Sequence, residues 1–402
     1  MNDLLAASRA LLPGIVETRR LLHRHPERGN HLPLTRRIVL DALDGLPLEV
    51  NLHETTSGIA AVLRGKRPGP TIVLRGDMDA LPVQEDTGLP FASEHPGLMH
   101  ACGHDLHTAM LVGAARILSS VREEFAGAVV FMFQPGEEGF FGARLMLEEG
   151  LLDTVDPRPT GAFAMHVTTW FTSGTLQHRP GPQMASSDEV HITVRGKGGH
   201  ASAPYLSYDP IPVASEIVLA VETALTRRIN VFQPGVITFA MIDAGTTHNV
   251  IPETARMLGT VRALSDDTRA ELHTILRRVA RNVAKAHGME ADVRIELGYP
   301  VVVNDPAYTA FIDTVAGRTL GEGSVRPLEN PSMGGEDWAY VLKEIPGTMS
   351  YLGACLPGQT PGKVPGNHSN RVVFDEEAMV HGMAMHAAVA MAHGRGEFTA
   401  PL

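Results

Sequence analysis

The sequence predicts an α/β fold: a mixed, mostly parallel sheet flanked by helices, with a smaller α/β sandwich inserted in it. Helix and strand patterns alternate through the first quarter of the chain, which is typical of parallel sheets with helices on their faces. Between residues 182 and 298 the order becomes β-α-β-β-α-β, as in a ferredoxin-like unit, and Pro/Gly segments bracket it. We therefore predict a main domain over 1–181 and 299–402 and an inserted domain over 182–298.

Each element has its own periodicity signal. Apolar residues at helical spacing predict helices over 4–25, 35–46, 106–118, 212–226, 266–287 and 376–392. Short apolar runs predict strands over 71–74, 128–133, 162–165, 190–194, 236–242, 257–262 and 292–296. Ligands collect outside the carboxyl ends of the strands in an open α/β sheet, so the polar residues after the first three strands are the candidates for a site.

Composition excludes several classes of protein. The 402 residues are 44% apolar and 20% charged, which is ordinary for a globular protein. With 34 basic and 45 acidic residues the net charge is −11, so we expect no nucleic-acid partner. Two cysteines exclude a disulfide framework and indicate a reducing compartment. No apolar run is long enough for a signal peptide or a membrane span, so we expect a cytoplasmic protein without a membrane partner.

The segment 99–107, MHACGHDLH, is the most informative in the chain. Cys102 and His104 are two residues apart, so in an extended stretch both side chains would leave the same face and reach one metal site. The alternative is a buried cysteine beside a helix start, with His104 and Asp105 capping the helix. A Cys-x-His pair alone leaves both interpretations open.

The segment 134–139, QPGEEG, places two carboxylates at the end of a predicted buried strand. Neighbouring residues in an extended turn point in opposite directions, so one of Glu137 and Glu138 can bind a metal while the other faces water. Metal-assisted hydrolysis needs such a pair, one carboxylate as ligand and the other as proton acceptor. The alternative is a solvated pair in a loop.

His166 and His368 are further candidate metal ligands. Either histidine alone is more typical of a hydrogen-bonded structural residue. Together with Cys102, His104 and Glu138 they supply five N, S and O donors, about the number that two ions with a shared group or water require. Thiolate and imidazole suit zinc, and the carboxylate also admits manganese or cobalt.

Asp77 and Asp79 share a face at a strand end. They are candidates for metal ligands, for acceptors that orient a ligating imidazole, or for simple capping groups.

In the inserted domain, His200 is a candidate electrophile brought to the site by another domain or subunit. Asn249 and Arg262 are candidates to hold a substrate carboxylate, Arg262 through its bidentate fork. Each of these three taken alone is also typical of a turn or surface position.

Seven motifs in this order carry a resemblance to a known family. They are RGDMDALPV (75–83), MHACGHDLH (99–107), QPGEEG (134–139), GKGGH (196–200), NVIP (249–252), GTVR (259–262) and GGED (334–337). The chain resembles the aminoacylase/carboxypeptidase-G superfamily of metallopeptidases, and within it the branch of hippurate hydrolase and the indole-acetyl-amino-acid hydrolases. The resemblance runs over nearly the whole chain.

The resemblance implies a di-metal, exopeptidase-like catalytic domain and an inserted domain that forms a homodimer. It implies two divalent ions per subunit, zinc or manganese with cobalt or nickel as further candidates. The implied ligands are Cys102, His104, Glu138, His166 and His368. Glu137 would be the general base and then the acid, and His200 would reach across the dimer to the oxyanion. Asn249 and Arg262 would lie near the substrate carboxylate, and Asp77 would support the ligands from behind.

The implied reaction is hydrolysis of the amide bond of an N-acyl amino acid, such as a hippurate-like, N-acetyl or indole-acetyl compound, by a metal-activated water. Three alternatives remain: an N-acetyl-diaminopimelate-type deacetylase, a dinuclear aminopeptidase and a non-enzymatic metal-binding dimer. The chain departs from the usual branch pattern at 167–171, which is VTTWF without a proline, and at 30–33, which is NHLP. These departures leave the acyl-group specificity open.

Overall fold

The computed structural model describes residues 4–398, which divide into two compact units. The first unit comprises the described residues up to Gly181, Val303–Glu329 and those from Tyr340 onward, and the second comprises Pro182–Val302 and Asn330–Ala339. The predicted domain boundaries stay a prediction, and positions 1–3 and 399–402 of the predicted main domain lie outside the described residues. No helix among the described residues is long and apolar enough to cross a membrane.

The elements are numbered in chain order. The strands are β1 (Glu49–Leu52), β2 (Ile59–Arg64), β3 (Arg67–Asp77), β4 (Ala126–Gln134), β5 (Gly161–Thr172), β6 (Leu176–His178), β7 (Gly181–Met184), β8 (Ser186–Arg195), β9 (Gly199–His200), β10 (Gly235–Ala244), β11 (Val250–Ile251), β12 (Thr254–Ala263), β13 (Glu290–Glu296), β14 (Val302–Asn304), β15 (Val325–Pro327) and β16 (Gly347–Cys355). The helices are α1 (Leu4–Arg24), α2 (Pro33–Leu43), α3 (His104–Ser120), α4 (Gly142–Glu148), α5 (Pro210–Arg228), α6 (Asp266–Ala286), α7 (Pro306–Leu320), α8 (Ala339–Glu344) and α9 (Ala378–Gly394).

The first unit is built on an eight-stranded sheet in the order β1-β2-β4-β3-β5-β16-β6-β15. Its four central strands, β4, β3, β5 and β16, are parallel to one another. The antiparallel pairs are β1 with β2, β2 with β4, and β6 with β16. Helices α3 and α9 pack against the sheet, and α1 packs against both helices. The mixed, mostly parallel α/β sheet predicted from the sequence is confirmed.

The central strands are longer than their apolar runs. β3 and β5 were predicted as 71–74 and 162–165, but they span Arg67–Asp77 and Gly161–Thr172. The predicted strand 162–165 would place His166 just after its end, which is wrong, because β5 continues six residues beyond His166. Polar residues in these extensions lower the apolar signal, yet they pair within the sheet, so the periodicity underestimates the strand. The strand β16 was not predicted.

Helix α3 begins two residues before the predicted start, at His104. The preceding Gly103 has φ +89°, the left-handed region that glycine adopts without steric cost. A Cβ there would also stand 2.4 Å from the Cγ2 atom of Val167. The expected extended stretch from Cys102 to His104 is therefore wrong, since a sharp glycine turn into the helix separates the two residues.

The second unit has a four-stranded antiparallel sheet in the order β10-β12-β8-β13, and α5 and α6 pack against it. Along the chain these elements follow the predicted β-α-β-β-α-β order. Side chains of β8 and β12 alternate between buried and more exposed, as one-sided sheets require. Asp209 and Ser265 begin the two helices by accepting backbone N–H bonds from Ile211 and Thr268.

Buried Asp188 joins the two ends of the second unit. Its carboxylate accepts hydrogen bonds from Arg269 Nε at 2.8 Å, His273 Nε2 at 2.7 Å and the backbone N–H of Gly298 at 3.0 Å. Burial alone would raise the pKa of Asp188, but the bonds from Arg269 and His273 outweigh it and lower the pKa to about 2. The charged carboxylate thus fixes the start of β8 against helix α6 and the segment after β13.

Candidate metal centre

The candidate residues of the first unit gather at the carboxyl ends of its parallel strands, where an open α/β sheet collects ligands. Asp77 is the last residue of β3, and Glu137 and Glu138 lie just beyond the end of β4. His166 lies in β5 opposite Tyr351 of β16. Each strand therefore delivers polar side chains to one edge of the sheet.

Cys102 is the common member of two groups of donor atoms. Its sulfur lies 3.3 Å from His166 Nε2 and 3.3 Å from His368 Nε2. Cys102, His104 and His166 form one group whose ligand atoms lie within 4.8 Å of one another, and Cys102, Glu138 and His368 form the other. Five side chains that were singled out separately in the sequence are thus brought together around one thiol.

Glu138 links the two groups further. Its Oε1 atom lies 3.3 Å from His368 Nε2 and 3.9 Å from His104 Nε2. That oxygen and both ring nitrogens of His104 are buried and make no hydrogen bond with any described residue. Buried polar atoms without partners are costly, so this arrangement fits a cation that binds the Glu138 oxygen and one ring nitrogen of His104. The sulfur, nitrogen and oxygen donors suit two divalent ions of the zinc and manganese class.

The tautomer of His166 suits it to be a ligand. Its Nδ1 donates to the carbonyl oxygen of Val167 at 2.8 Å, so Nε2 carries the lone pair that faces Cys102. Burial, then the neighbouring His107, lowers the pKa of His166 well below its usual value. A neutral imidazole is the form that binds metals.

His107 lies beside the centre but is not a ligand. Its Nε2 accepts the backbone N–H of Val167 at 2.8 Å, and its Nδ1 donates to Asp77 Oδ1 at 2.6 Å. Both ring nitrogens are therefore in use. The other oxygen of Asp77 lies 2.6 Å from Arg75 Nη1 and 3.5 Å from His104 Nε2. The contacts of Asp77 with His107 and Arg75 fit the predicted role of an acceptor that orients an imidazole, and Asp77 also forms a group of potential ligand atoms with His104 and His107.

Asp79 fixes the backbone of the two glutamates. It accepts the N–H of Glu137 at 2.9 Å on one oxygen and the N–H of Glu138 at 3.0 Å on the other. Its Oδ1 also lies 3.4 Å from His104 Nδ1. The Glu137 side chain is buried, and its carboxylate lies within 4.8 Å of the ligand atoms of Glu138 and His104. Asp79 therefore fixes the backbone positions from which the side chains of Glu137 and Glu138 extend.

The pocket carries an excess of negative charge. Burial disfavours a charged imidazole at His104, but Asp77, Asp79 and Glu138 outweigh it and raise the pKa of His104 to about 10. Burial, followed by the nearby carboxylates, raises the pKa of the Cys102 thiol well above its usual value. Without a cation the pocket therefore retains protons on groups that a metal would need in their deprotonated forms.

The loop that carries His368 is held by its neighbour Asn367. Asn367 Nδ2 donates to the carbonyl oxygens of Cys102 at 3.0 Å and Val167 at 2.9 Å. The backbone N–H of His368 donates to Ala101 at 2.9 Å. His368 has φ +70°, a left-handed conformation that is uncommon outside glycine and often found at functional sites. The sequence analysis missed Asn367, whose only signal is its position before the histidine.

A buried ionic network lies behind the first turn of α3. Arg19 Nε lies 2.7 Å from Asp105 Oδ2, and His23 Nδ1 lies 2.8 Å from the same oxygen. Arg19 also contacts Glu376, which binds α1 to the start of α9. The network fixes the residue that directly follows His104. It was missed because its members are up to 357 positions apart.

The candidate residues of the second unit lie at two places. His200 and Asn249 line a hollow of about 470 Å³ beside the short β9–β11 pair, and His200 Nδ1 accepts a hydrogen bond from Ser202 Oγ at 2.8 Å. Arg262 lies near the other end of β12, eight residues beyond Thr254, which corresponds to about 26 Å of strand. Within one chain, Asn249 and Arg262 are not brought together.

Asn30, at the second departure from the branch pattern, supports the glutamate loop. Its Nδ2 donates to the carbonyl oxygen of Phe140 at 2.9 Å. Gly136 has φ +67°, and a Cβ there would stand 2.0 Å from Asn30 Oδ1. Asn30 therefore packs against the backbone that leads into Glu137.

Comparisons with known proteins agree with this geometry. The chain is 37% identical to N-acetylcysteine deacetylase of Bacillus subtilis, over 96% of this chain and 98% of that protein. It is 36% identical to thermostable carboxypeptidase 1 of Saccharolobus solfataricus, over 94% of each chain. The crystal structure of the Bacillus subtilis YXEP protein, described as a dinuclear metal binding peptidase, matches with a TM-score of 0.81 and 33% identity, over 95% of this chain and 98% of that one.

A family model described as peptidase family M20/M25/M40 matches residues 73–392. That span contains the strand ends, the glycine turn into α3 and the five donor side chains around Cys102. Together with relatives of more than one third identity over nearly the full length, this match assigns the chain to a family. This protein belongs to peptidase family M20/M25/M40.

Proposed function

We propose that this protein is a metal-dependent amidohydrolase that cleaves the amide bond of N-acyl amino acids. The observation that carries the proposal is the set of five S, N and O donors around Cys102 with one more buried carboxylate, Glu137, beside them. A deacetylase and a carboxypeptidase among the relatives support this reaction class, because both names denote hydrolysis of a linear amide.

Two divalent ions per chain complete the proposed centre, zinc or manganese first, with cobalt or nickel as further candidates. Their ligands would be Cys102, His104, Glu138, His166 and His368. When bound, such ions lower the pKa of water and stabilise negative charge on an acyl oxygen. A metal-binding thiol must stay reduced, which fits the cytoplasm.

Glu137 moves the proton in the proposed reaction. Its carboxylate takes a proton from the attacking water and then gives that proton to the leaving amine. Asp79 supports this role because it accepts the backbone N–H of both Glu137 and Glu138. The two backbone positions are thereby fixed, so that one carboxylate can accept the proton while the other binds metal. The amino acid leaves as the free amine, and the acyl group leaves as a carboxylic acid.

The second unit supplies substrate-binding groups in this proposal, and it makes a homodimer. His200 stabilises the oxyanion, and Asn249 and Arg262 hold the substrate carboxylate. About 26 Å of strand lies between the hollow of Asn249 and the position of Arg262. Groups so far apart serve one small substrate if they come from different chains, so we assign His200 and Asn249 to the site of the partner subunit.

Glu137→Gln is expected to lower kcat at least about 100-fold, because the amide cannot accept the proton from water. Metal content, measured by atomic emission, is expected to stay at the wild-type value. Glu148→Gln, at an exposed position of α4, is the matched control with unchanged turnover. The assay uses acetyl, benzoyl and indole-acetyl amino acids, N-acetyl-diaminopimelate and free dipeptides, each with zinc, manganese and cobalt.

Retained activity in Glu137→Gln would remove this residue from the proton-transfer role. Cleavage of free dipeptides alone would point to an aminopeptidase, and cleavage confined to N-acetyl-diaminopimelate would point to a specialised deacetylase. No hydrolysis of any substrate by fully metal-loaded protein would contradict the proposed function and favour a non-enzymatic metal-binding dimer.

Zinc binding to the metal-free protein is expected to release about two protons per chain at pH 7. Both His104, whose pKa is raised to about 10, and Cys102, whose pKa is raised by burial, hold a proton there and must lose it. The apparent affinity therefore increases with pH over the range in which these two groups still hold their protons. Calorimetric titration in two buffers of different ionisation enthalpy counts the protons.

Cys102→Ser is expected to reduce that number by about one, since the hydroxyl keeps its proton. Cys355→Ser is the control, because Cys355 is the other buried free cysteine and should leave the number unchanged. A proton count that is the same in wild type and Cys102→Ser would contradict the thiolate as a ligand.

Mixing of two inactive variants tests the exchange of His200 between subunits. His200→Ala and Glu137→Gln are expected to be inactive as homodimers. In a mixed dimer, one of the two sites combines an intact Glu137 from one chain with an intact His200 from the other. About half of the dimers that form at random are mixed, so co-expression is expected to restore about one quarter of wild-type activity. The absence of recovery, with mixed dimers verified by two affinity tags, would show that His200 acts within its own chain.

A further inference from the structure

Trp170 is a large exposed aromatic side chain on the strand of a proposed metal ligand. Its side chain is 58% exposed, whereas the other tryptophan of the chain, Trp338, is fully buried. Trp170 lies four residues after His166, in the stretch between Thr168 and Thr172 where the pairing of β5 with β16 is irregular. Among the described residues of the first unit it is the one exposed large aromatic side chain.

The indole lies on the loop that carries His368. A Cβ at Gly366 would stand only 2.8 Å from Trp170 Nε1, so the ring rests against bare glycine backbone. The neighbouring Thr169 donates its hydroxyl to the carbonyl oxygen of Pro365 at 3.0 Å. Gly366 is two residues before His368, which places their Cα atoms at most about 7.6 Å apart. The ring is therefore held beside the proposed metal centre without touching a ligand.

The surroundings of Trp170 are aromatic. The ring centroid of Phe171 lies 6.1 Å from that of Tyr351, and Tyr351 lies 6.2 Å from the ring of His166. Both pairs meet edge to face, the arrangement in which aromatic rings attract each other. Phe171 and Tyr351 are half-buried, so aromatic rings lead from His166 to the residue that directly follows Trp170 in the sequence.

We propose that Trp170 is a specificity-determining residue that forms a wall of the acyl-group subsite and favours acyl groups with an aromatic ring over acetyl. The inference rests on the proposed function, because it concerns the substrate of the same site. An aromatic acyl ring buries apolar surface against the indole and makes edge or face contacts with it. An acetyl methyl group is too short to cover the indole. Gly366 has a matching role, since any larger residue there would displace the ring.

The test compares benzoyl and acetyl derivatives of one amino acid. Trp170→Ala is expected to lower kcat/KM for the benzoyl compound about tenfold and for the acetyl compound less than about twofold. Trp170→Phe keeps a ring and is expected to retain most of the preference. Phe232→Ala removes an 89% exposed aromatic side chain of the second unit and serves as the control, with both values unchanged.

Equal losses for both substrates in Trp170→Ala, or no loss for either, would overturn the inference while leaving the proposed function intact. Absence of hydrolysis of both substrates by the wild type would instead overturn the proposed function, and this inference with it. A preference for acetyl in the wild type would also overturn the inference.

Binding without turnover gives a second readout. In Glu137→Gln loaded with zinc, an N-benzoyl amino acid is expected to change tryptophan fluorescence, because the acyl ring covers the exposed indole. The change is expected to be absent when Trp170→Phe is added, since the remaining Trp338 is buried. A change that persists without Trp170 would contradict contact between the indole and the acyl group.

Discussion

Uncompensated negative charge in a buried pocket is the constraint on which the rest of this structure depends. Asp77, Asp79, Glu137 and Glu138 converge there with the thiol of Cys102, and burying such charges costs free energy unless cations or hydrogen bonds offset it. Arg75 neutralises part of this charge at Asp77. A proton on His104 offsets more of it, and bound divalent ions would offset it with better geometry.

The fold supplies that geometry through backbone turns as well as through side chains. Gly103 and Gly136 both adopt left-handed conformations where a Cβ would collide with Val167 or Asn30. The first turn leads from the thiol into α3, and the second leads from β4 to the paired glutamates. Cys102, His104 and Glu138 therefore lie next to turns at which only glycine fits, which fixes the backbone positions of these three proposed ligands.

Local patterns selected the side chains that the structure brings together around Cys102, because several of them sit in short, unusual segments. Adjacent acids after a buried strand, and a cysteine two residues from a histidine, are visible without a structure. The geometric argument for Cys102 and His104 was nevertheless wrong, because it assumed an extended chain where the structure has a glycine turn. The residue types were sufficient to select these side chains, but they did not predict the backbone path between them.

Residues that act through distant partners were beyond sequence reasoning. His107 stands in the most informative motif, but its role follows from a hydrogen bond to Val167, 60 positions later. Asn367 holds two carbonyl groups that are up to 265 positions away, and the Arg19–Asp105 pair joins helices α1 and α3. Such contacts depend on the order of strands in the sheet, which periodicity does not determine.

The central claim, that a metal centre is built around the thiolate of Cys102, is tested most directly by zinc K-edge X-ray absorption of protein loaded with two zinc ions. The account predicts a sulfur neighbour of zinc at about 2.3 Å together with nitrogen and oxygen neighbours. The sulfur signal should disappear in Cys102→Ser. A spectrum with nitrogen and oxygen neighbours alone in the wild-type protein would contradict the account.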